Sequence, residues 1–345
     1  MKVSIHTSSK GAFRVRDENI YFDSASEAQE YAKKNIESII VRNSDEVASA
    51  QVKTKKYRLE ITPQSIYEYL NAYIIAQEEA KQEIALAMYY HSLSTAYDNR
   101  VKDNGPVMIV GPTGSGKTFI VQKACEYMDT LFIHVDTASM VPEGIVGYTI
   151  AHLAKDILQL ADNNMKRARS CVVFFDEMDK LFINNESDDI GKQVASQLLR
   201  LIEGSKIKLS YSYNEKSADK PTELDTTNMQ FILGGAFQWI LDEKSKNGST
   251  AGFANKEKSD ENATVDISLE DLYKEDIPKE LLGRMNTIVN LHKLSEEDYY
   301  KILTQSKSSP LKEFVEKIEF HGDRVAISDD TLHEIAKMLL VVNLE

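Results

Sequence analysis

Short apolar runs and longer stretches of helical spacing take turns along this chain. From Pro106 onward the runs Val107 to Val110, Leu131 to Val135, Cys171 to Phe175 and Met229 to Leu233 are almost uninterrupted by polar residues. Strands half exposed to water would alternate, so runs of this kind predict a parallel sheet with helices on both faces. Thr62-Pro63 opens a helix with proline in its first turn. Past Leu294 the segments Glu296 to Thr304, Leu311 to Ile318 and Asp329 to Leu340 read as helices, and in the last Leu332, Ile335, Ala336 and Leu339 repeat at helical spacing. Two polar insertions, Ser205 to Asp225 and Ser245 to Asn262, read as surface loops.

The first residues form a separate pattern. Three β-like runs (Val3 to His6, Ala12 to Val15, Ile20 to Phe22) precede a helical stretch from Ser26 to Ile40 and a polar linker from Asn43 to Lys56. The expected organisation is a small α+β unit with its linker over 1–56, to which no chemistry is assigned, a large α/β subdomain over 57–290, and a partial small helical subdomain over 291–345.

Composition narrows the functions. At 345 residues, 28% charged and 42% hydrophobic, the chain suits an ordinary globular protein. Its formal net charge of −13 repels phosphate backbones, so nucleic acid is a disfavoured partner. The opening residues lack the apolar core of a leader, and no stretch reaches the roughly 20 apolar residues that cross a bilayer, so the expectation is no membrane and a cytoplasmic location. Cys125 and Cys171 stand far apart, which reads as two reduced, buried thiols rather than a zinc or redox site.

The strongest chemical signal is Gly111-Pro112-Thr113-Gly114-Ser115-Gly116-Lys117-Thr118, between an apolar strand and a helix. It fits the phosphate-binding loop pattern. Glycines let backbone N–H groups turn toward phosphate oxygens, Lys117 reaches the β/γ-phosphates, and the Thr118 hydroxyl ligates Mg²⁺. ATP with Mg²⁺ is therefore the expected ligand pair. The run Cys171 to Phe175 ends in Asp176-Glu177: Asp176 can hold the magnesium through water, and Glu177 can orient or deprotonate the water that attacks the γ-phosphate. Asp179 and Lys180 read as structural charges.

Further boxes carry a resemblance. Tyr73-Ile-Ile-Ala-Gln77-Glu-Glu-Ala-Lys81, Phe175-Asp-Glu-Met-Asp-Lys180, Leu198 to Ser205, Gly234-Gly-Ala-Phe237 and Pro278-Lys-Glu-Leu-Leu-Gly-Arg284 resemble, in order, the Y-V-I-G-Q-x-x-A-K, I-D-E-I-D-K, L-L-K-L-L-E-G-T, G-G-A-F and P-E-F-I-G-R boxes of the ClpX and HslU branch of AAA+ protein unfoldases, over roughly residues 60 to 340. The resemblance implies a P-loop α/β domain followed by a small helical one, a homo-hexameric ring, and protein substrates. It makes Ile75 part of the adenine cradle, with Ala76 in place of the usual glycine, and Arg284 the finger that reaches a neighbouring subunit's site.

Departures from the family alter some of these roles. The pore loop G-Y-V-G is here Gly144-Ile145-Val146-Gly147, followed by Tyr148, so the gripping aromatic is replaced by Ile145 and Val146 with Tyr148 just beyond. The tripeptide I-G-F that docks on ClpP-like peptidases corresponds to Ala251-Gly252-Phe253. Cutting the isoleucine to alanine removes about 2 kcal/mol of apolar burial, so a weakened docking loop and a plain solvent loop both stay open. The zinc-binding domain that begins ClpX has no counterpart in 1–56, and the G-A-R motif expected after the last helix does not occur before Glu345, which fits either a truncated product or weakened hydrolysis. The expected activity is ATP-driven protein remodelling; a non-motor ATP-binding scaffold and, less favoured by the charge, a DNA-handling motor are the other readings.

Overall fold

The computed structural model describes residues 5–7, 13–15, 21–22, 61–96, 105–182, 189–209, 223–250, 265–275 and 277–342. The chain divides into two compact units, Met1–Glu60 and Ile61–Glu345. In the first, β1 (Ile5–Thr7), β2 (Phe13–Val15) and β3 (Tyr21–Phe22) pair antiparallel in chain order. They fall on the three apolar runs. The helix expected at 26–40 and the linker at 43–56 lie outside the described residues.

The second unit opens with α1 (Pro63–Tyr73), where the Thr62 and Ser65 side chains cap each other's backbone N–H groups at 3.0 and 2.9 Å. There follow α2 (Glu78–Ala96), β4 (Val107–Val110), α3 (Lys117–Met128), β5 (Phe132–Asp136), α4 (Ile150–Leu160), α5 (Met165–Ala168), β6 (Val172–Asp176), α6 (Asp189–Ile202), β7 (Lys206–Lys208), β8 (Glu223–Asp225), β9 (Gln230–Gly235), α7 (Gln238–Thr250), α8 (Leu269–Leu272), α9 (Lys279–Leu282) and β10 (Thr287–Asn290). Five of these strands make one parallel sheet in the order β10-β4-β9-β6-β5.

The central strands β4, β6 and β9 are buried almost end to end, whereas the edge strands β5 and β10 each bury a single residue, Val135 and Val289. The two-residue period divides each central strand between two cores. Val107, Ile109, Phe174 and Ile232 pack with Ile66, Leu70, Ile84, Met88 and Ile120 of α1, α2 and α3. Met108, Val110, Phe175 and Leu233 pack with Leu153 and Ile157 of α4 and Leu198 of α6. Among the described residues no helix is long and apolar enough to cross a membrane.

The structure corrects both insertions and adds a strand. The ends of the first insertion form the antiparallel pair β7–β8, anchored by the buried Thr226, whose hydroxyl donates to the Leu201 carbonyl at 3.0 Å and accepts the Ser205 N–H at 2.9 Å. In the second, Ser245 to Thr250 continue α7. β10 has no apolar run to announce it; four residues suffice because β4 supplies a full partner ladder.

Three helices follow: α10 (Glu296–Thr304), α11 (Pro310–Phe320) and α12 (Asp329–Val342). Tyr299, Leu303 and Ala336 form their core, with Ile335 and Leu339 packed against it. The segment after α1 is tied to the exit of β10 and to this group. The Gln77 side-chain amide donates to the His292 carbonyl at 2.8 Å and accepts the His292 N–H at 3.0 Å. The Ser306 hydroxyl and Lys307 N–H donate to the Tyr73 and Ala72 carbonyls at 2.7 and 3.0 Å, satisfying the open end of α1.

To make this turn Ala76 and Gln77 adopt φ of 56° and 58°. A Cβ is unfavourable there, which gives a physical reason for glycine in the corresponding family box. Ala76→Gly should stabilise the protein by about 1 kcal/mol, seen as a higher urea midpoint at unchanged slope; an unchanged or lower midpoint would show that the turn is not strained.

Candidate nucleotide site

The loop from Gly111 to Gly116 carries the chain from the end of β4 into α3. Its shape depends on residues without side chains. Gly114 and Gly116 have φ of 78° and 95°. A Cβ on Gly111 would stand 2.6 Å from the Leu291 carbonyl oxygen. The loop closes on itself through the Ser115 N–H to the Pro112 carbonyl, 3.3 Å, while the first N–H groups of α3 are left for an anion at its N-terminus.

Lys117 folds back along the loop, its ammonium donating to the Gly111 and Pro112 carbonyls at 2.7 and 3.0 Å. Burial draws its pKa below the ordinary lysine value against the opposing pull of Asp176, Asp179 and Glu177. Thr118, next in the helix, donates to Asp176 Oδ2 at 3.0 Å. Asp176 is fixed from every side: its Oδ1 accepts the Glu177 N–H at 2.9 Å, its carbonyl accepts the Thr137 hydroxyl at 2.6 Å, and His134 Nε2 lies 3.3 Å from Oδ2.

Glu177 follows at φ 56°, in the left-handed region that strained site residues often occupy. Its carboxylate pairs with Lys180 at 2.5 Å, and both side chains are about half exposed. Asp179 is buried and accepts the Phe237 N–H at 3.2 Å, a structural role as its sequence context suggests. Between the two halves of the site runs β9, ending in Gly234 and Gly235. A Cβ on Gly234 would meet the Phe174 ring at 2.6 Å and Asp176 Oδ1 at 3.2 Å; one on Gly235 would meet the Phe237 ring at 2.5 Å.

Lys117, Thr118, Asp176 and Glu177 thus line one cleft of about 360 Å³ with Thr113, Gly114 and Gly116. The residues fit a magnesium triphosphate. The loop offers N–H groups and a cradle that side chains would fill, Ser115 Oγ is buried with no hydrogen-bond partner, and Thr118 and Asp176 present hard oxygen donors. Gly111 to Thr118 would hold the phosphates, and Thr118 with Asp176 the cation.

Other residues singled out in the sequence lie outside the cleft lining. Ile75 is half-buried in the turn clasped by Gln77. A narrow gap separates Pro112 to Ser115 from Lys293, Leu294, Tyr299 and Leu340. Arg284, just past α9, is about half exposed and ion-paired with Glu203. Ile145 and Val146 sit at the tip of a loop closed by the Val141 N–H to the Tyr148 carbonyl, 2.9 Å, and Val146 is 100% exposed. Tyr148 turns inward instead: its ring packs on the core and its hydroxyl donates to Asp156 at 2.7 Å. Ala251, Gly252 and Phe253 lie outside the described residues. Sequence reading missed Gln77 as a clasp and His134 and Thr137 as partners of Asp176; a lone histidine within the apolar run of β5 was the one available signal.

A parallel sheet in this order, with a phosphate loop after β4 and an acidic pair after β6, defines a P-loop nucleoside triphosphatase. Residues 102–288 match the AAA domain (Cdc48 subfamily). The chain is 31% identical over 289 residues to the ATP-dependent Clp protease ATP-binding subunit ClpX of Treponema denticola, spanning 77% of this chain and 70% of that protein. The chain belongs to the AAA+ ATPases as a ClpX-like member.

Lys117 carries a charge partly desolvated by burial. Lys117→Met should leave the melting temperature of the nucleotide-free protein unchanged or raised, and should abolish its rise with ATP, which for the native chain at a hundredfold excess over Kd corresponds to about 2.7 kcal/mol. A retained ATP-dependent rise would place the triphosphate elsewhere.

Proposed function

We propose that the chain is an ATP-dependent protein-remodelling motor of the unfoldase type, acting in the cytoplasm as a homo-hexamer. The observation that carries this reading is the split of the machinery: Lys117, Thr118, Asp176 and Glu177 share one cleft, while Arg284 lies half exposed outside its lining, paired with Glu203. An arginine so placed serves transition-state charge in a neighbouring subunit, and gives each site a component that only assembly supplies. The name of the Treponema denticola relative, an ATP-binding subunit, fits this division of labour.

Within the site, Thr118 and Asp176 hold the cation, Lys117 leaves the loop carbonyls for the β/γ-phosphates, and Glu177 takes the proton of the attacking water. Mg²⁺, when bound, neutralises charge developing on the phosphates. Ile145 and Val146 contact the polypeptide through apolar area, and Tyr148 braces the loop that presents them. With Ala251 in the docking tripeptide, the proposal extends to remodelling and not to a peptidase partner.

A non-hydrolysing scaffold is favoured by one feature, the Lys180 ammonium 2.5 Å from the Glu177 carboxylate it would have to release. Turnover and assembly mass measured together separate the two. A motor forms ATP-dependent hexamers whose turnover falls about 10³-fold in Arg284→Ala and by about 10² or more in Glu177→Gln, the latter still binding ATP; tight ATP binding with no turnover in the native chain would establish the scaffold. Ile145→Ser with Val146→Ser should reduce unfolding of a tagged protein substrate more than it reduces ATP turnover. Equal reductions would remove the loop from substrate contact.

A further inference from the structure

Two lysines line the nucleotide cleft. Lys117 belongs to the phosphate loop and bonds its carbonyls, whereas Lys180 stands beside the acidic residues that follow β6. It lies in a single helical turn, Met178–Leu181, that begins directly after Glu177. The Lys180 N–H donates to the Glu177 carbonyl at 3.0 Å, so the turn that carries the Lys180 side chain is built on Glu177 itself. The side chains then meet a second time, with the Lys180 ammonium 2.5 Å from Glu177 Oε2. Among the described residues each is the other's only ion-pair partner. The hydrogen bond to Glu177 raises the Lys180 pKa, and the charges of Asp136 and Asp179 add to the effect, so the ammonium keeps its proton.

This contact bears on the chemistry. A general base needs a carboxylate oxygen free to face the water whose proton it takes, and the ammonium occupies one such oxygen. Both side chains are about half exposed. An ion pair in that setting is weak, so it opens and closes rather than blocking the site outright. Only the open arrangement leaves both oxygens of Glu177 to the water.

We propose that Lys180 is a built-in brake on ATP turnover: it draws the Glu177 carboxylate away from the attacking water, and the rate follows the fraction of sites in which the pair is open. Lys180 is thus a positioning residue that acts only through Glu177. The proposal rests on the ATPase reading above, and it makes the ion pair a cause of slow turnover rather than of none.

The test is steady-state ATP turnover, at saturating ATP and Mg²⁺, by the native chain, Lys180→Met, Lys180→Arg, Glu177→Gln and the double variant Glu177→Gln with Lys180→Met. Methionine fills similar space without charge, and arginine keeps the pair. Lys180→Met should raise kcat about threefold with KM little changed, the population shift that an exposed ion pair of ordinary strength commands. Lys180→Arg should stay near the native rate, and in the Glu177→Gln background the methionine should change nothing. A gain in rate is a result that damage to the fold does not produce. A kcat for Lys180→Met less than twofold above the native value, an equal gain in Lys180→Arg, or a gain that persists without the Glu177 carboxylate would overturn the brake and leave the ATPase reading standing. No turnover by either the native chain or Lys180→Met would overturn both.

Discussion

The phosphate loop and the acidic pair leave the sheet on strands that are not neighbours. β9 lies between β4 and β6, and any side chain at its last two positions would enter the space where the two halves of the site meet. Gly234 leaves room for the Phe174 ring and the Asp176 carboxylate, and Gly235 for the Phe237 ring. Fixing Asp176 beside Thr118 needs this gap, and so does seating Asp179 beneath the turn that follows β9. Close backbone approach is what glycine in a strand interior commonly signals, and here it brings Asp176 and Asp179 against the end of β9.

Much of this was legible in the sequence, and the reason is burial. β4, β6 and β9 are covered on both faces, so their runs are nearly all apolar and stand out from any surrounding pattern. The phosphate loop was legible because its glycines answer local backbone demands, φ of 78° and 95°, that no other residue meets cheaply. What stayed hidden depends on distant partners. β10 is an edge strand whose existence follows from β4. The Gln77 clasp spans 215 positions and the Arg284–Glu203 pair 81. His134 becomes part of the site only through the β5–β6 register, which no local pattern encodes.

The loop from Val141 to Tyr148 shows a similar division between local and distant causes. Gly147, at φ 155°, brings the chain against Val141, where a Cβ would stand 2.6 Å from a valine methyl. That contact and the Met140–Tyr148 bridge turn the segment into a closed projection with Ile145 and Val146 at its tip. Tyr148 is held at the base by Asp156, on the helix that follows, so the aromatic supports the projection while the aliphatic pair faces outward. Burial and its hydrogen bond to Asp156 push the Tyr148 hydroxyl above the ordinary tyrosine range, which keeps it a neutral donor at physiological pH.

The two attachments of the segment from Ala72 to Gln77 also have a mechanical meaning. One fixes the exit of β10 at His292 and the other fixes the turn after α10 at Ser306 and Lys307. The first holds the chain where it leaves the sheet, and the second holds the helical group to the end of α1. Leu294, Tyr299 and Leu340 border the phosphate loop across a narrow gap from Pro112 to Ser115. The walls of that gap therefore rest on one short segment, so that the seating of the C-terminal helices beside the loop depends on a few hydrogen bonds far away in sequence.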